Sequence, residues 1–297
     1  MLKKILVPLD GSDLAEAVLP YAIELARPAK AQIVLVTAIQ QLGVWDATLS
    51  LQVIEREEQL AQAYLDIQVR SLPKDVRPSV RLARGPAAEA ILQVAAEQKA
   101  DLIAMSTHGR SGVARFLFGS VPDRILRSSE VPLLIVRPDE EEAPQKKAVS
   151  FKKILVPLDG SKTAESILPF VEELAKGLGA SLVLFHAITP ISAYPGFEMA
   201  PVGAAELITE MEGQAKEILQ RAAAEVKSRG VKAEMTVAVD VAVDGILAAA
   251  EERNADMIAI ATHGRGGLGR VVLGSVADGV VRRSHRPCLV IRAQEEE

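Results

Sequence analysis

Ten consecutive residues occur twice in this chain. Lys3 to Ser12 read KKILVPLDGS, and Lys152 to Ser161 read the same ten letters, at an offset of 149. Further on, Thr107-His108-Gly109-Arg110 returns as Thr262-His263-Gly264-Arg265, and Gly119-Ser120-Val121 returns as Gly274-Ser275-Val276, both at an offset of 155. The closing apolar runs Leu133–Arg137 and Cys288–Arg292 keep that second offset. Ordered self-similarity at such a period means two copies of one structural unit, not one large core. The difference of offsets gives the second copy six extra residues, and the Pro/Gly stretch Thr189–Gly203 is where they belong.

Between the copies, Asp139-Glu140-Glu141-Glu142 is flanked by Pro138 and Pro144 and followed by Lys146-Lys147. A charge run between prolines, without apolar periodicity, marks a solvated linker. The expected organisation is a first domain over 1–138, a linker over 139–150 and a second domain over 151–293.

Within the first copy, strand-like runs at Ile5–Leu9, Ile33–Ala38, Val80–Ala83, Leu102–Ser106 and Leu133–Val136 alternate with helical stretches. These are Leu14–Ala26, Asp46–Arg70, Ala87–Gln98 and Val121–Ser128. The second copy repeats the plan, with helical stretches at Ala164–Lys176 and Ala204–Ser228. Uniformly apolar strands separated by helices indicate parallel sheets covered on both faces. The fold class is therefore α/β, as two tandem, doubly wound, five-stranded parallel-sheet domains. Pro8 and Pro157 sit in what would be a central strand, where proline cannot donate to the ladder, so they belong at its carboxyl end. Ser12 and Ser161 then serve as helix N-caps.

Composition removes several functions. Aromatic residues are only 3% of the 297, which leaves an aliphatic core and few stacking platforms for single-stranded nucleic acid. Setting aside the acids of Asp139–Glu142 and Glu295–Glu297, with Lys146 and Lys147, leaves 32 acidic and 32 basic residues out of 39 and 34. No basic field remains for a nucleic acid or an anionic membrane. Cys288 is the one cysteine, so no intrachain disulfide forms, and its apolar surroundings read as a buried strand. Asp10 cuts the N-terminal apolar stretch too early for a signal peptide. Prolines and glycines interrupt the longest charge-free segment, Gly177–Phe197, so it is a poor membrane span. The expectation is a soluble, cytoplasmic protein.

In open α/β sheets, ligands bind beyond the carboxyl ends of the strands, where strand order reverses. Two repeated segments fall there: the turn Asp10-Gly11-Ser12 (Asp159-Gly160-Ser161) and the loop Ser106–Ser120 (Ala261–Ser275). The loop is glycine-rich and basic, with Gly109, Arg110, Gly112, Arg115 and Gly119 in one copy and Gly264, Arg265, Gly267, Arg270 and Gly274 in the other. It runs into a helical pattern at Gly119-Ser120-Val121. Glycines and a helix start together present N–H groups suited to a phosphate, with the Ser120 and Ser275 hydroxyls as further donors. A surface loop using glycine for its turns has the same composition, and glycine content alone does not separate the two. Gly264 to Gly269 matches the dinucleotide pattern G-x-G-x-x-G, but it follows the fourth strand, not the first, so neither NAD nor FAD is expected. His108 and His263 recur within the loop as loop-organising or ligand-adjacent groups. No His and carboxylate residues stand at metal-ligand spacing, and no catalytic residue is assigned. The insert, with Tyr194 and Phe197, and the segment with Leu42, Val44 and Trp45 read as a lid, a partner surface or packing over the next helix.

These motifs resemble the universal stress protein (UspA) family in a tandem two-domain form: VPLDGS at each first-strand end, THGR after the fourth strand, and Gly109 or Gly264 followed after nine residues by Gly-Ser. The resemblance covers both repeats. It implies a five-stranded parallel α/β fold of the adenine nucleotide alpha hydrolase-like, Rossmann-like kind. It also implies a regulatory stress-response role with bound ATP, ADP or AMP, with or without Mg. Asp10 and Asp159 would reach the nucleoside, and backbone near Ala38 and Ala187 would meet adenine. The sugar and phosphates would lie on the loop and the helix start, from Ser106, His108, Gly109, Arg110 and Gly112 to Gly119, Ser120 and Val121. The corresponding positions in the second copy are Ala261, His263, Gly264, Arg265, Gly267, Gly274, Ser275 and Val276. The family's first motif glycine is replaced here by Ser106 and Ala261, and Asp240 stands where the first copy has Gly85. The family's final strands imply pairing of the two domains within the chain and a homodimer. A nucleotide-free scaffold and a weak ATPase are the alternatives.

Overall fold

Branched aliphatic runs form strands when both faces can be covered, and each repeat supplies four mainly apolar runs and a fifth, more polar one at the sheet edge. The computed structural model describes residues 2–39, 47–107, 118–138, 149–190, 203–262 and 273–293. The chain divides into two compact units, Met1–Ser150 and Phe151–Glu297.

In the first unit the strands are β1 (Lys4–Pro8), β2 (Gln32–Ile39), β3 (Arg77–Arg84), β4 (Leu102–Ser106) and β5 (Leu133–Val136). They are joined through α1 (Asp13–Glu16), α2 (Leu19–Ala29), α3 (Ala47–Ser71), α4 (Ala87–Gln98) and α5 (Ser120–Ser128). The strand order is β3-β2-β1-β4-β5, with parallel pairing throughout. The order reverses between β1 and β4, which marks the switch point. Ile5, Leu6 and Val7 are all fully buried, so neighbouring side chains on opposite faces of β1 are both covered.

The second unit repeats this order as β8 (Ala233–Val239), β7 (Ser181–Ile188), β6 (Lys153–Pro157), β9 (Met257–Thr262) and β10 (Cys288–Arg292). Its helices are α6 (Lys162–Glu165), α7 (Leu168–Leu178), α8 (Ala204–Ser228), α9 (Ala242–Glu252) and α10 (Ser275–Arg283). The connection 189–203 before α8 is longer than its counterpart 40–46 before α3, which places the extra residues in the expected region. Most of both connections, and the linker over 139–148, lie outside the described residues.

Two sequence readings are corrected. The helical stretches expected over Leu14–Ala26 and Ala164–Lys176 are each split, into α1 and α2 and into α6 and α7. Pro20 and Pro169 stand in the first turns of α2 and α7. Proline there lacks a donor and its ring conflicts with the carbonyl four residues earlier, so no single helix runs through. β3 extends over Arg77–Arg84, beyond the expected Val80–Ala83, because its arginines serve an exposed edge and carry no apolar signal. Ser12 and Ser161 do cap α1 and α6, accepting from the N–H of Ala15 and of Ala164. Cys288 lies buried in β10, where burial pushes its thiol up to about 12 and leaves it unreactive.

Two acids hold the start of the central strand in both units. The Asp101 Oδ2 accepts from the backbone N–H of Lys3 and Lys4 at 2.7 and 2.8 Å, and Asp256 Oδ2 accepts from Lys152 and Lys153 at 2.7 and 2.9 Å. In the second unit Glu172, 2% exposed, is matched by Arg229 at 3.1 Å. Replacing Asp101 with Ala leaves two strand-end N–H groups without their acceptor. It is expected to lower the stability of the first unit by about 2 kcal/mol, with Asp101→Asn costing less than half of that. Urea denaturation of the full chain and of the two variants measures both.

Candidate functional site

In a parallel strand, alternate residues address opposite neighbours. Leu9 donates its N–H to the Val36 carbonyl at 2.8 Å, so Leu9 serves β2 and Pro8 faces β4. Proline has no donor to offer there. Pairing of β1 with β4 involves only Ile5 and Leu6, and the ladder ends there. The second unit does the same: Leu158 donates to Phe185, and β6 pairs with β9 only through Ile154 and Leu155. The prolines thus open a cleft at the switch point.

In the first unit this cleft is a cavity of about 770 Å³. It brings together Asp10 from the turn after β1, Ala38 from β2, Ser106 from β4, and Gly119, Ser120 and Val121 at the start of α5. Apolar walls come from Leu9, Ile39, Ile91 and Met105. The described lining residues include the carboxylates Asp10 and Glu57 but no lysine or arginine.

Local chemistry fixes each part. Gly11 has φ of +82°, a left-handed conformation that suits glycine and turns the chain from β1 into α1. Asp10 Oδ1 accepts from the Ser12 N–H at 3.0 Å and from the Ser12 hydroxyl at 2.6 Å, and the same hydroxyl oxygen accepts from Ala15 N–H at 3.2 Å. One serine therefore caps the helix and holds the carboxylate. Thr37 donates from Oγ1 to the Leu9 carbonyl at 2.9 Å, tying the ends of β1 and β2. Gly119 donates its N–H to the Thr107 carbonyl at 3.0 Å, closing the base of the glycine-rich loop. A Cβ on Gly119 would stand 3.1 Å from that carbonyl oxygen and 3.3 Å from Pro122 Cδ, closer than such contacts normally run. No side chain caps α5, so its first turn presents N–H groups and the positive end of its dipole to the cleft.

Sequence reading missed the wall formed by α3. Glu57, Leu60, Ala61 and Tyr64 all line the cavity. Their i, i+3, i+4, i+7 spacing sets them on one helix face, which is the signal that identifies them once the helix is known to cross the cleft. Tyr64 donates from its hydroxyl to Glu16 Oε1 at 2.8 Å, and Gln68 Nε2 donates to the same oxygen at 2.7 Å. Burial first, then the hydrogen bond to Glu16 and the charges of Glu16 and Asp10, hold the phenol far above its ordinary range.

In the second unit, Asp159, Ala187, Ala261, Gly274, Ser275 and Val276 occupy the matching places: the turn after β6, β7, β9 and the start of α10. The environment differs. Ile218 of α8 lies on Gly160, its Cδ1 2.8 Å from where a Cβ would stand. His186 replaces Thr37, and its Nδ1 is buried without a hydrogen-bond partner among the described residues. Desolvation pushes the Asp159 carboxyl upward, but hydrogen bonds from Ser161 and the nearby His186 outweigh it and hold the group below its ordinary value. Asp240 accepts from Val241 N–H at 2.7 Å. His108, Gly109, Arg110 and Gly112, with His263, Gly264, Arg265 and Gly267, lie outside the described residues, as do Trp45, Tyr194 and Phe197. Among the described residues no group of three His, Cys, Asp or Glu side chains could hold a metal, and no helix is long and apolar enough to cross a membrane.

Comparison with known proteins is consistent across sequence and structure. A family model described as the universal stress protein family matches residues 1–137 and again 150–292. A universal stress protein of Methanocaldococcus jannaschii is 33% identical over 150 residues, 50% of this chain and 85% of that one. One from Mycobacterium tuberculosis is 23% identical over 252 residues, covering 84% of this chain and 79% of its own. The crystal structure of a universal stress protein from Archaeoglobus fulgidus shares the fold, with a TM-score of 0.67 at 22% identity, over 97% of this chain and 98% of that one.

The Tyr64 environment makes a titration prediction. A phenol with a raised pKa stays protonated while an ordinary tyrosine, near 10, ionises. At about pH 11 the native chain and Tyr64→Phe are expected to show equal tyrosinate absorbance. A deficit of one tyrosinate in the variant would contradict the buried Tyr64–Glu16 pair.

Proposed function

The chain belongs to the universal stress protein family, and on that premise we propose that it binds an adenine nucleotide in the cleft of the first unit and acts in a regulatory stress-response role. ATP, ADP and AMP are the ligand class, with or without Mg. The observation that carries the reading is the convergence of Asp10, Ala38, Ser106, Gly119, Ser120 and Val121, remote in sequence, on one cavity of about 770 Å³. That volume lies within the range of small-molecule and cofactor sites.

The cavity divides into chemically distinct parts. Backbone at Ala38 and apolar surface from Ile39, Ile91 and Met105 suit a base, and Leu60, 56% exposed, offers further apolar area at the rim. Asp10, held by Ser12, is an acceptor for sugar hydroxyls. Phosphates need donors and positive potential, and the first turn of α5 supplies both. Because the described lining lacks lysine and arginine, the helix terminus and the loop that carries Arg110 and Arg115 must supply the compensation. Were Mg to accompany the phosphates, they would hold it, and Glu57 would be the lining carboxylate left free of the sugar role.

No general base is assigned, and binding is the proposed activity. Gly119→Val places branched carbon against the Thr107 carbonyl and Pro122, displacing the start of α5. Calorimetric titration of the full chain with ATP is expected to give saturable binding, weakened at least about tenfold in Gly119→Val. Unchanged affinity in the variant would move the site elsewhere, and absence of binding in the unmodified chain would favour a scaffold without nucleotide.

A further inference from the structure

The two units treat their outer edge strands differently. β3 begins Arg77-Pro78 and carries Arg81 and Arg84, whereas β8 reads Ala-Glu-Met-Thr-Val-Ala-Val, with Glu234 its one charge. Both are terminal strands of their sheets. Gly85 N–H donates to the Ile39 carbonyl at 3.0 Å, so odd-numbered residues of β3 serve β2, and Pro78 stands at an outward position with its donor removed. Arginines and an outward proline are devices that blunt a sheet edge. In β8 the Asp240 N–H donates to Ile188 at 2.9 Å and the Lys232 carbonyl accepts from Leu182 at 2.8 Å, so even-numbered residues serve β7. Met235 and Val237 therefore turn their N–H and C=O groups to the open side, where no described strand pairs with them. Ala233, at the place of Pro78, keeps its donor. Met235 and Val239 are each 41% exposed.

We propose that β8 is a self-association edge, at which two copies of the chain pair their β8 strands antiparallel about a two-fold axis at Thr236. Charge selects both the occupant and the register. With Thr236 on the axis, Lys232 stands opposite Asp240 of the partner subunit, and the symmetry repeats this opposite-charge pair. Met235 lies opposite the partner's Val237, so the exposed apolar row covers itself. Shifting the axis one residue to Val237 would set Glu234 against the partner's Asp240, a like-charge pair that disfavours it. Arg253, which donates from Nη2 to Thr236 Oγ1 at 2.9 Å, sits beside the axis, within diagonal reach of the partner's Glu234. The strand is thus self-complementary in hydrogen bonding, in apolar surface and in charge, while β3 carries an outward proline and like charges at its edge.

The test uses cysteine as a distance probe, since the native Cys288 is buried. Residues facing each other on the axis of an antiparallel pair come within disulfide range. The full chain carrying Thr236→Cys is expected to form a covalent dimer under mild oxidation at least about tenfold faster than the chain carrying Arg81→Cys, its counterpart in β3. Sedimentation of the unmodified chain should give twice the 31.7 kDa chain mass. Ala233→Pro with Val239→Arg, which copies the guards of β3 into β8, should weaken that association at least about tenfold. Circular dichroism checks that this variant is folded, and the cross-linking comparison stands without it. Thr236→Cys reacting no faster than Arg81→Cys overturns the proposal. A monomeric unmodified chain overturns it too, and leaves the edge to an extended segment of a different protein.

Discussion

A proline at the carboxyl end of the central strand decides where each sheet opens. β1 must hydrogen-bond on both edges to hold the middle of a five-stranded parallel sheet, and it does so until Pro8 offers no donor to β4. Its other edge stays engaged, because Leu9 still donates to Val36. One strand end is thus anchored to β2 and released from β4. The reversal of strand order supplies a crevice at that place on topological grounds, and the proline widens the same crevice on hydrogen-bonding grounds.

Everything at the cleft follows from that opening. The turn out of β1 needs a left-handed residue, which Gly11 supplies, and the short α1 needs a cap, which Ser12 supplies. The hydroxyl that caps the helix also holds Asp10 over the cleft. On the far side, Gly119 packs so closely on the Thr107 carbonyl that a Cβ would press on it at 3.1 Å, and this contact delivers the bare N-terminus of α5 to the cavity. A carboxylate on one wall and helix N–H groups on the other divide the cavity by charge. A ligand with hydroxyls at one end and anionic oxygens at the other matches that division.

Much of this was legible in the sequence, for identifiable reasons. Runs such as Ile33–Val36 and Leu102–Met105 are apolar at every position, which distinguishes a strand buried on both faces, and the repeat showed the architecture to be duplicated. The prolines at Pro8 and Pro157 were readable as strand ends because proline has no other place in a central strand. The split of the first helix was harder to see, since Pro20 and Pro169 interrupt an otherwise good helical pattern. β3 runs beyond its apolar residues because an edge strand guarded by arginines lacks apolar alternation. Within the site, positions on the turn and at the helix start were readable from local chemistry. Glu57, Leu60 and Tyr64 were not, because their role depends on where α3 crosses the sheet, a tertiary fact without a local mark. The burial of Glu172 beside Arg229 was hidden for the same reason.

The duplication preserved the frame and altered the details. Both units keep the proline, the capping serine, the left-handed glycine and the acid that anchors the strand start. They differ where a ligand or a partner would be met: Tyr64 against Ile218, Thr37 against His186, and a guarded β3 against an open β8. Occupancy of the first cleft is measured most directly by analysis of the small molecules released when the purified full chain is denatured. An adenine nucleotide at about one per chain or more is the predicted result, in keeping with a cavity of cofactor size. A chain that releases no nucleotide, and takes up none when ATP is supplied in excess, would contradict it.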